Sequence, residues 1–269
     1  MIKIHKALYP SQDEWYMVMF GMRNPLNSWN KMDTPPCNVI LSNDDSTNVK
    51  GTAKVGPNDL KLASTLANAG ESHSKFRRML PVYIDISAPM YWWKEFDTYK
   101  IGTVRNSSST MHTIMDKPFT PEDFSQDNTR PDISNFYSQY ISDICKKLNE
   151  VRDAYFKERS LAFKTHSVNG MMVIGNAGSI GHMIKMKNYW RQIIQMLPSS
   201  YNQRSMIFLN YEVLARIYRD RMNHKLDEWR TFCEFIENVP YSKLLIVGKD
   251  SDICDEKANE HSGDQQDTT

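Results

Sequence analysis

The chain has no long apolar run. No stretch of its 269 residues approaches the roughly 18 consecutive apolar residues that cross a bilayer, so no membrane partner is expected. Its N-terminus, MIKIHKALYPSQDEW, lacks an apolar core followed by a small-residue cleavage site, which points away from secretion and toward a cytoplasmic protein. Cysteine is scarce. Cys37, Cys145, Cys233 and Cys254 are scattered with no CxxC pair, which fits reduced thiols and excludes a disulfide frame or a zinc ribbon. Neither HxxxH nor HExxH occurs, so no metal site is expected. No serine sits in a GxSxG elbow, which argues against a hydrolase nucleophile. There is no internal repeat, no concentrated basic stripe and no recognised DNA or RNA motif, so no nucleic-acid partner is expected.

What remains is ordinary globular material, 40% hydrophobic and 24% charged. The net charge of +1 conceals an asymmetry. Residues 250–269 carry seven acids and a single base, Lys257, leaving 32 bases against 25 acids, about +7, on the rest. Such a polar acidic segment buries too little apolar surface to order itself and reads as a disordered tail. A moderately cationic body suits anionic ligands, phosphates included, without demanding a polynucleotide.

Residues 1–20 read as a short strand followed by the apolar stretch WYMVMF, and 21–56, rich in Asn, Pro, Ser and Asp, as a long loop. From Pro57 a helix is expected, capped by Asn58 or Asp59, with Leu60, Ala63, Leu66 and Ala67 on one face and Gly70 as its stop. In LPVYIDISAP, Val82, Ile84 and Ile86 alternate with Tyr83, Asp85 and Ser87, the period of a half-buried strand. Pro89 closes it and opens MYWWKEFDTY. Residues 103–113 read as a polar loop. A strong helix follows from about Ser134 to Phe156, with Phe136, Tyr140, Ile144, Leu148, Val151 and Tyr155 on one stripe and Asp132 or Ser134 as cap. A glycine-bearing segment, 160–184, precedes helices near 185–197, 204–223 and 226–238.

Five places carry candidate chemistry. VIGNAGSIG has Gly175, Gly178 and Gly181 at GxxGxxG spacing rather than GxGxxG, so a hairpin or loop between two helices is favoured over a dinucleotide site. Arg105 and Asn106 precede four hydroxyls, Ser107 to Thr110, which together can hold a phosphate or form a plain serine-rich turn. Arg216, Arg219, Arg221 and His224 share a helical stretch with Glu212 and Asp220, the usual sign of a solvated, ion-paired face. His73 follows a helix stop, where a surface or capping role is the commoner one. Trp92, Phe96 and Tyr99 fall on one helical face, suited to core packing or to stacking on a flat ring.

Taken in order, these pieces resemble the flavin-dependent thymidylate synthases, the ThyX family. That family carries a His after a helix, a strand ending in Pro, and a helix running into RHRxxSxNxxSxRY, then later LP, Asn and an Arg on a long helix. Here His73 precedes Pro89 by 16 residues, and YWWKEFDTYKIGTVRNSSSTM occupies the place of the signature. The RHR triplet falls on Thr98, Tyr99 and Lys100, and the two signature serines on Thr103 and Ser108. The signature's Asn is Arg105, its final Arg-Tyr is Thr110-Met111, and the preceding Gln is Glu95. Downstream, Leu197-Pro198, Asn210 and Arg221 match the LP, the flavin-contacting Asn and the pyrimidine-contacting Arg. The likeness covers about 57–113 and 190–240.

The resemblance implies an α/β (α+β) fold with a central, mostly antiparallel sheet and flanking helices. It implies one domain over 1–249, with a helical insertion at about 134–184 and the tail at 250–269. It implies noncovalent FAD, reduced by NADPH, methylating dUMP to dTMP with methylenetetrahydrofolate in a homotetramer whose active sites form between chains. Carried over by position, Arg221 and Ser108 are catalytic. Glu95, Arg105, Ser108, Ser109 and Arg221 bind the nucleotide, and His73, Tyr99, Lys100 and Asn210 bind the flavin. Arg105 is expected to replace phosphate-binding charge absent at Thr98 and Thr110. The changed signature leaves two alternatives: a related flavoenzyme acting on another pyrimidine nucleotide, for example a hydroxymethylase, or a nucleotide-binding oligomer without flavin.

Overall fold

The computed structural model describes residues 1–37, 53–127, 129–163, 165–168, 171–174 and 179–246. The acidic tail, Cys254, Gly175 and Gly178 lie outside the described residues, as does much of the 21–56 segment. The fold is α/β (α+β), a four-stranded, mostly antiparallel sheet with flanking helices. Its strands are β1 (Lys3–Leu8), β2 (Pro81–Pro89), β3 (Val104–Ser107) and β6 (Asn202–Asn210), in the order β1-β2-β6-β3. A separate two-stranded hairpin pairs β4 (Thr165–Val168) antiparallel with β5 (Met171–Ile174).

The chain divides into two compact units. One comprises 1–5, 85–98 and 105–206, and the other 6–84, 99–104 and 207–269. β2 and β6 both show the period of two. Val82, Ile84, Ile86 and Ala88 are buried on β2, and Gln203, Ser205, Ile207 and Leu209 on β6. Sequence reading extends a helix over 204–223, but 204–210 is strand. The alternation SMIFL is a strand signal, and the helix starts only after Asn210. Residues 104–107, read as loop, form β3, and Thr110–Thr113 form a short helix, α4.

In the unit containing 105–206, α3 (Met90–Phe96) buries Trp92, Trp93 and Phe96, with Trp92 and Phe96 stacked at 5.1 Å. These rings are core. The long helix is α5 (Pro131–Ala162), longer at both ends than the sequence pattern suggests, with Arg130 as N-cap and Pro131 in its first turn. Its buried stripe runs through Ile141, Cys145 and Leu148, with Tyr137, Ile144, Val151 and Tyr155 packed beside it. Phe136 and Tyr140, assigned to that face, are exposed; the stripe enters one position later, at Tyr137. α6 (Ser179–Met196) packs along α5 through Ile193, and Glu158 receives His182 at 2.5 Å and Lys185 at 3.4 Å. Asn149 clamps the Phe119 backbone, accepting from its N–H at 2.8 Å and donating to its carbonyl at 2.9 Å.

In the other unit, α1 (Gln12–Met22) opens on a Ser11–Glu14 capping box and buries Trp15, Val18, Met19 and Met22. α2 (Pro57–Asn68) buries Ala63 and Ala67 and is followed by Gly70 at φ 101°, as the sequence indicates. Its cap is not Asn58 or Asp59. The Asp33 carboxylate accepts from the N–H groups of both, at 2.8 and 3.0 Å, a cap supplied from about 25 residues upstream. Gly56 stands where any Cβ would run into Asp33. This frees Asp59 for the interior. It is fully buried, accepting from Arg23 Nε at 2.6 Å, from the Thr34 hydroxyl at 2.5 Å and from the Thr34 N–H at 2.8 Å. α7 (Tyr211–Arg221) and α8 (Asp227–Glu237) complete this unit.

Candidate functional site

The unit carrying α7 and α8 brings two of the expected site residues into direct contact. α7 is amphipathic and buries Leu214, Ile217 and Tyr218, which sets its angular position and sends Arg216 and Arg221 off the core stripe. The Tyr99–Gly102 turn lies against the start of this helix. Gly102 adopts φ 78°, and a Cβ there would come to 3.1 Å from both Asn210 Nδ2 and Val213 Cγ2. That turn delivers Tyr99, 6% exposed, to Arg221. Arg221 Nε donates to the Tyr99 phenol oxygen at 3.0 Å across a separation of 122 residues. Its guanidinium lies 4.7 Å from the Trp229 ring and 5.7 Å from the Tyr99 ring, and these two rings meet edge-on at 6.0 Å. Arg216 lies over the same Tyr99 ring at 5.3 Å. Burial pushes the Tyr99 phenol above its ordinary value, against the opposing pull of the Arg221 bond. The guanidinium is oriented by the Tyr99 hydrogen bond and by packing on two rings, and its planar fork is of the kind that matches a planar acceptor.

Asn210 is the N-cap of α7. Its side-chain oxygen accepts from the Val213 N–H at 3.0 Å. Lys100 is exposed in the turn after Tyr99. His73, also exposed, closes a turn on the Gly70 carbonyl at 3.1 Å and lines a cavity of about 430 Å³. The walls of that cavity are mostly apolar, with Met22, Leu62, Leu66, Phe76 and Met79 beside His73.

The other unit holds Glu95, Arg105, Ser108 and Ser109. Arg105 leaves β3 across the face of Trp93 at 4.6 Å and pairs with Asp97 at 3.3 Å, while its Nη1 is buried with no hydrogen-bond partner among the described residues. Ser108 is held by its backbone, donating to the Arg204 carbonyl at 2.8 Å and accepting from Gln203 Nε2 at 2.7 Å. It lines an open cavity of about 790 Å³ with Lys3, Lys117, Asn202 and Arg204. Arg204 itself forms a two-pronged ion pair with Asp85. Ser109 caps α4, its hydroxyl accepting from the His112 N–H at 3.2 Å. Glu95 lies half-buried near the end of α3, and its carbonyl receives the Thr98 hydroxyl at 2.7 Å.

Tyr99 and Arg221 therefore meet, Arg105 lies in β3 with Ser108 just past its end, and His73 faces a separate cavity. The arginine-bearing stretch is not the solvated face its spacing suggests. Arg219 is exposed and paired with Glu71 and Asp220, but Arg216 and Arg221 are packed on aromatic rings. Trp229 is not legible as a site residue in the sequence, because on an amphipathic helix it reads as core. Arg77 escapes sequence reading too, since the FRR triplet beside His73 has no spacing that marks it.

No protein-family model matches the chain, and no curated protein matches it. Among solved structures it is similar to Thymidylate Synthase X (ThyX) from Helicobacter pylori with FAD and dUMP. The identity is 12%, over 90% of this chain and 94% of that one, at a TM-score of 0.49. It is also similar to a flavin-dependent thymidylate synthase ThyX from the same organism, complexed with FAD and dUMP. There the identity is 13%, over 87% and 90% of the two chains, at a TM-score of 0.45.

Proposed function

We propose that this protein is a flavin-dependent enzyme of pyrimidine nucleotides that methylates dUMP to dTMP, with FAD as cofactor and NADPH and methylenetetrahydrofolate as cosubstrates. The observation that carries the reading is the Tyr99–Arg221 contact. Two positions that the sequence resemblance assigns independently, one in the altered RHR triplet and one to the pyrimidine, share a hydrogen bond of 3.0 Å. The fixed guanidinium would hold a pyrimidine carbonyl and stabilise the enolate-like oxygen that develops when the ring is attacked. Arg is suited to this because its charge persists at any working pH.

The residues present fit a flavin in one respect that can be named. The cavity beside His73 has the apolar walls and size suited to a flat ring, with His73 and Lys75 as polar groups at its margin. Asn210 caps α7, the helix that packs against the Lys75–Met79 segment behind that cavity. Bound flavin would supply the hydride for reduction of the transferred one-carbon unit. The resemblance also assigns Ser108, held at both backbone groups, and Arg105 to nucleotide binding.

The test is the visible absorption spectrum of the purified full chain before and after incubation with FAD and desalting, with and without dUMP. A retained flavin band is the expected result; a colourless protein under both conditions overturns the reading. With flavin retained, Arg221→Lys is expected to reduce dUMP turnover by about a hundredfold or more, since an ammonium cannot reproduce the planar fork, while leaving the flavin band in place.

A further inference from the structure

A third cavity, about 400 Å³, contains none of the residues assigned above. Its walls come from the end of α2 and the turn beyond it, from α7, and from Leu245 and Ile246, and three arginines face it: Arg77, Arg216 and Arg219. Two acids, Glu71 and Glu212, line it as well.

The arginines are placed but poorly satisfied. Arg77 is 5% exposed, yet its contacts are long: Nη1 to Glu212 at 3.5 Å and Nη2 to the Ala67 carbonyl at 3.4 Å. Its Nε has no partner among the described residues. Arg216 Nε is likewise buried without one. Arg219 reaches Glu71 only at 3.7 Å. Charge-assisted bonds of guanidinium to carboxylate normally close to about 2.7–2.9 Å. Glu212 is meanwhile shared with the Ser74 hydroxyl at 3.3 Å. Burial pushes the Arg77 guanidinium below its ordinary value; Glu212 opposes that, and the like charge of Arg219 adds to it. A buried donor left unpaired carries its whole desolvation penalty, more when charged, so two such donors on residues lining one cavity mark an arrangement completed by something else. An anion with several oxygens would complete it. It would pair with the guanidinium groups that line the cavity and relieve the Arg77–Arg219 repulsion.

We propose that this cavity binds a phosphate group, as the mono- or diphosphate ester of a ligand. The inference goes beyond the flavin reading and stands without it.

The probe is inorganic pyrophosphate, titrated by calorimetry into the flavin-free full-length protein at constant ionic strength. Saturable binding at one site per chain is expected. Arg219→Glu changes an exposed side chain, so the fold survives it, and it should weaken binding by about tenfold or more, as should Arg216→Gln. Arg105→Gln and Arg221→Gln should leave this binding unchanged. Absence of saturable binding overturns the proposal. So does binding that survives Arg219→Glu and Arg216→Gln but is lost in Arg105→Gln or Arg221→Gln, for the anion would then sit at the nucleotide residues. A protein that binds pyrophosphate here and takes up no FAD refutes only the flavin reading.

Discussion

Burial raises the pKa of Asp59, but the Thr34 hydroxyl, Arg23 and the N–H groups of Thr34 and Asp33 together outweigh that and hold it below the usual carboxylate value. A depressed folded-state pKa contributes stability that is present above the unfolded value and lost as pH falls through the folded one. Asp59→Asn removes the charge while leaving Arg23, 4% exposed, without its counter-ion. The expected cost is about 3–5 kcal/mol in urea unfolding at neutral pH, together with a shallower loss of stability in acid. An unchanged acid limb would show that other carboxylates govern it. From sequence, Asp59 reads as a helix cap, because a carboxylate in a first helical turn usually serves its own helix. The actual cap, Asp33, cannot be inferred from local spacing, since it arrives through tertiary folding.

The elements are legible wherever one face is buried and the period is clean. β2 alternates over its whole length, and α2 starts and stops where Pro57 and Gly70 place it. β6 escapes sequence reading because Gln203 and Ser205 occupy inward positions, so its polar first half hides the alternation that Ile207 and Leu209 complete. β3 escapes it because a short edge strand of polar residues has no apolar periodicity to read. The site follows the same rule. Single positions such as Arg221 and Ser108 can be nominated, but the Tyr99–Arg221–Trp229 stack depends on a turn and two helices converging. The junction of β6 and α7 gives an element-scale prediction. Asn210→Ala should cost about 1 kcal/mol, the loss of one N-cap, measured as a shift of the denaturation midpoint. A larger loss of flavin uptake than of stability would show that Asn210 also acts on the cofactor.

For the whole molecule, the proposed function carries an assembly with it. The full chain is expected to run as four copies by light scattering, with nucleotide turnover falling on dilution as the copies separate. A monomer that turns over dUMP would overturn the expectation, drawn from the resemblance, of active sites formed between chains. The division of the chain has its own consequence. Each unit is assembled from three separated segments, and both draw on residues beyond position 200. During synthesis, when a domain usually closes as soon as its own residues have emerged, a nascent chain ending before Met206 holds neither unit complete.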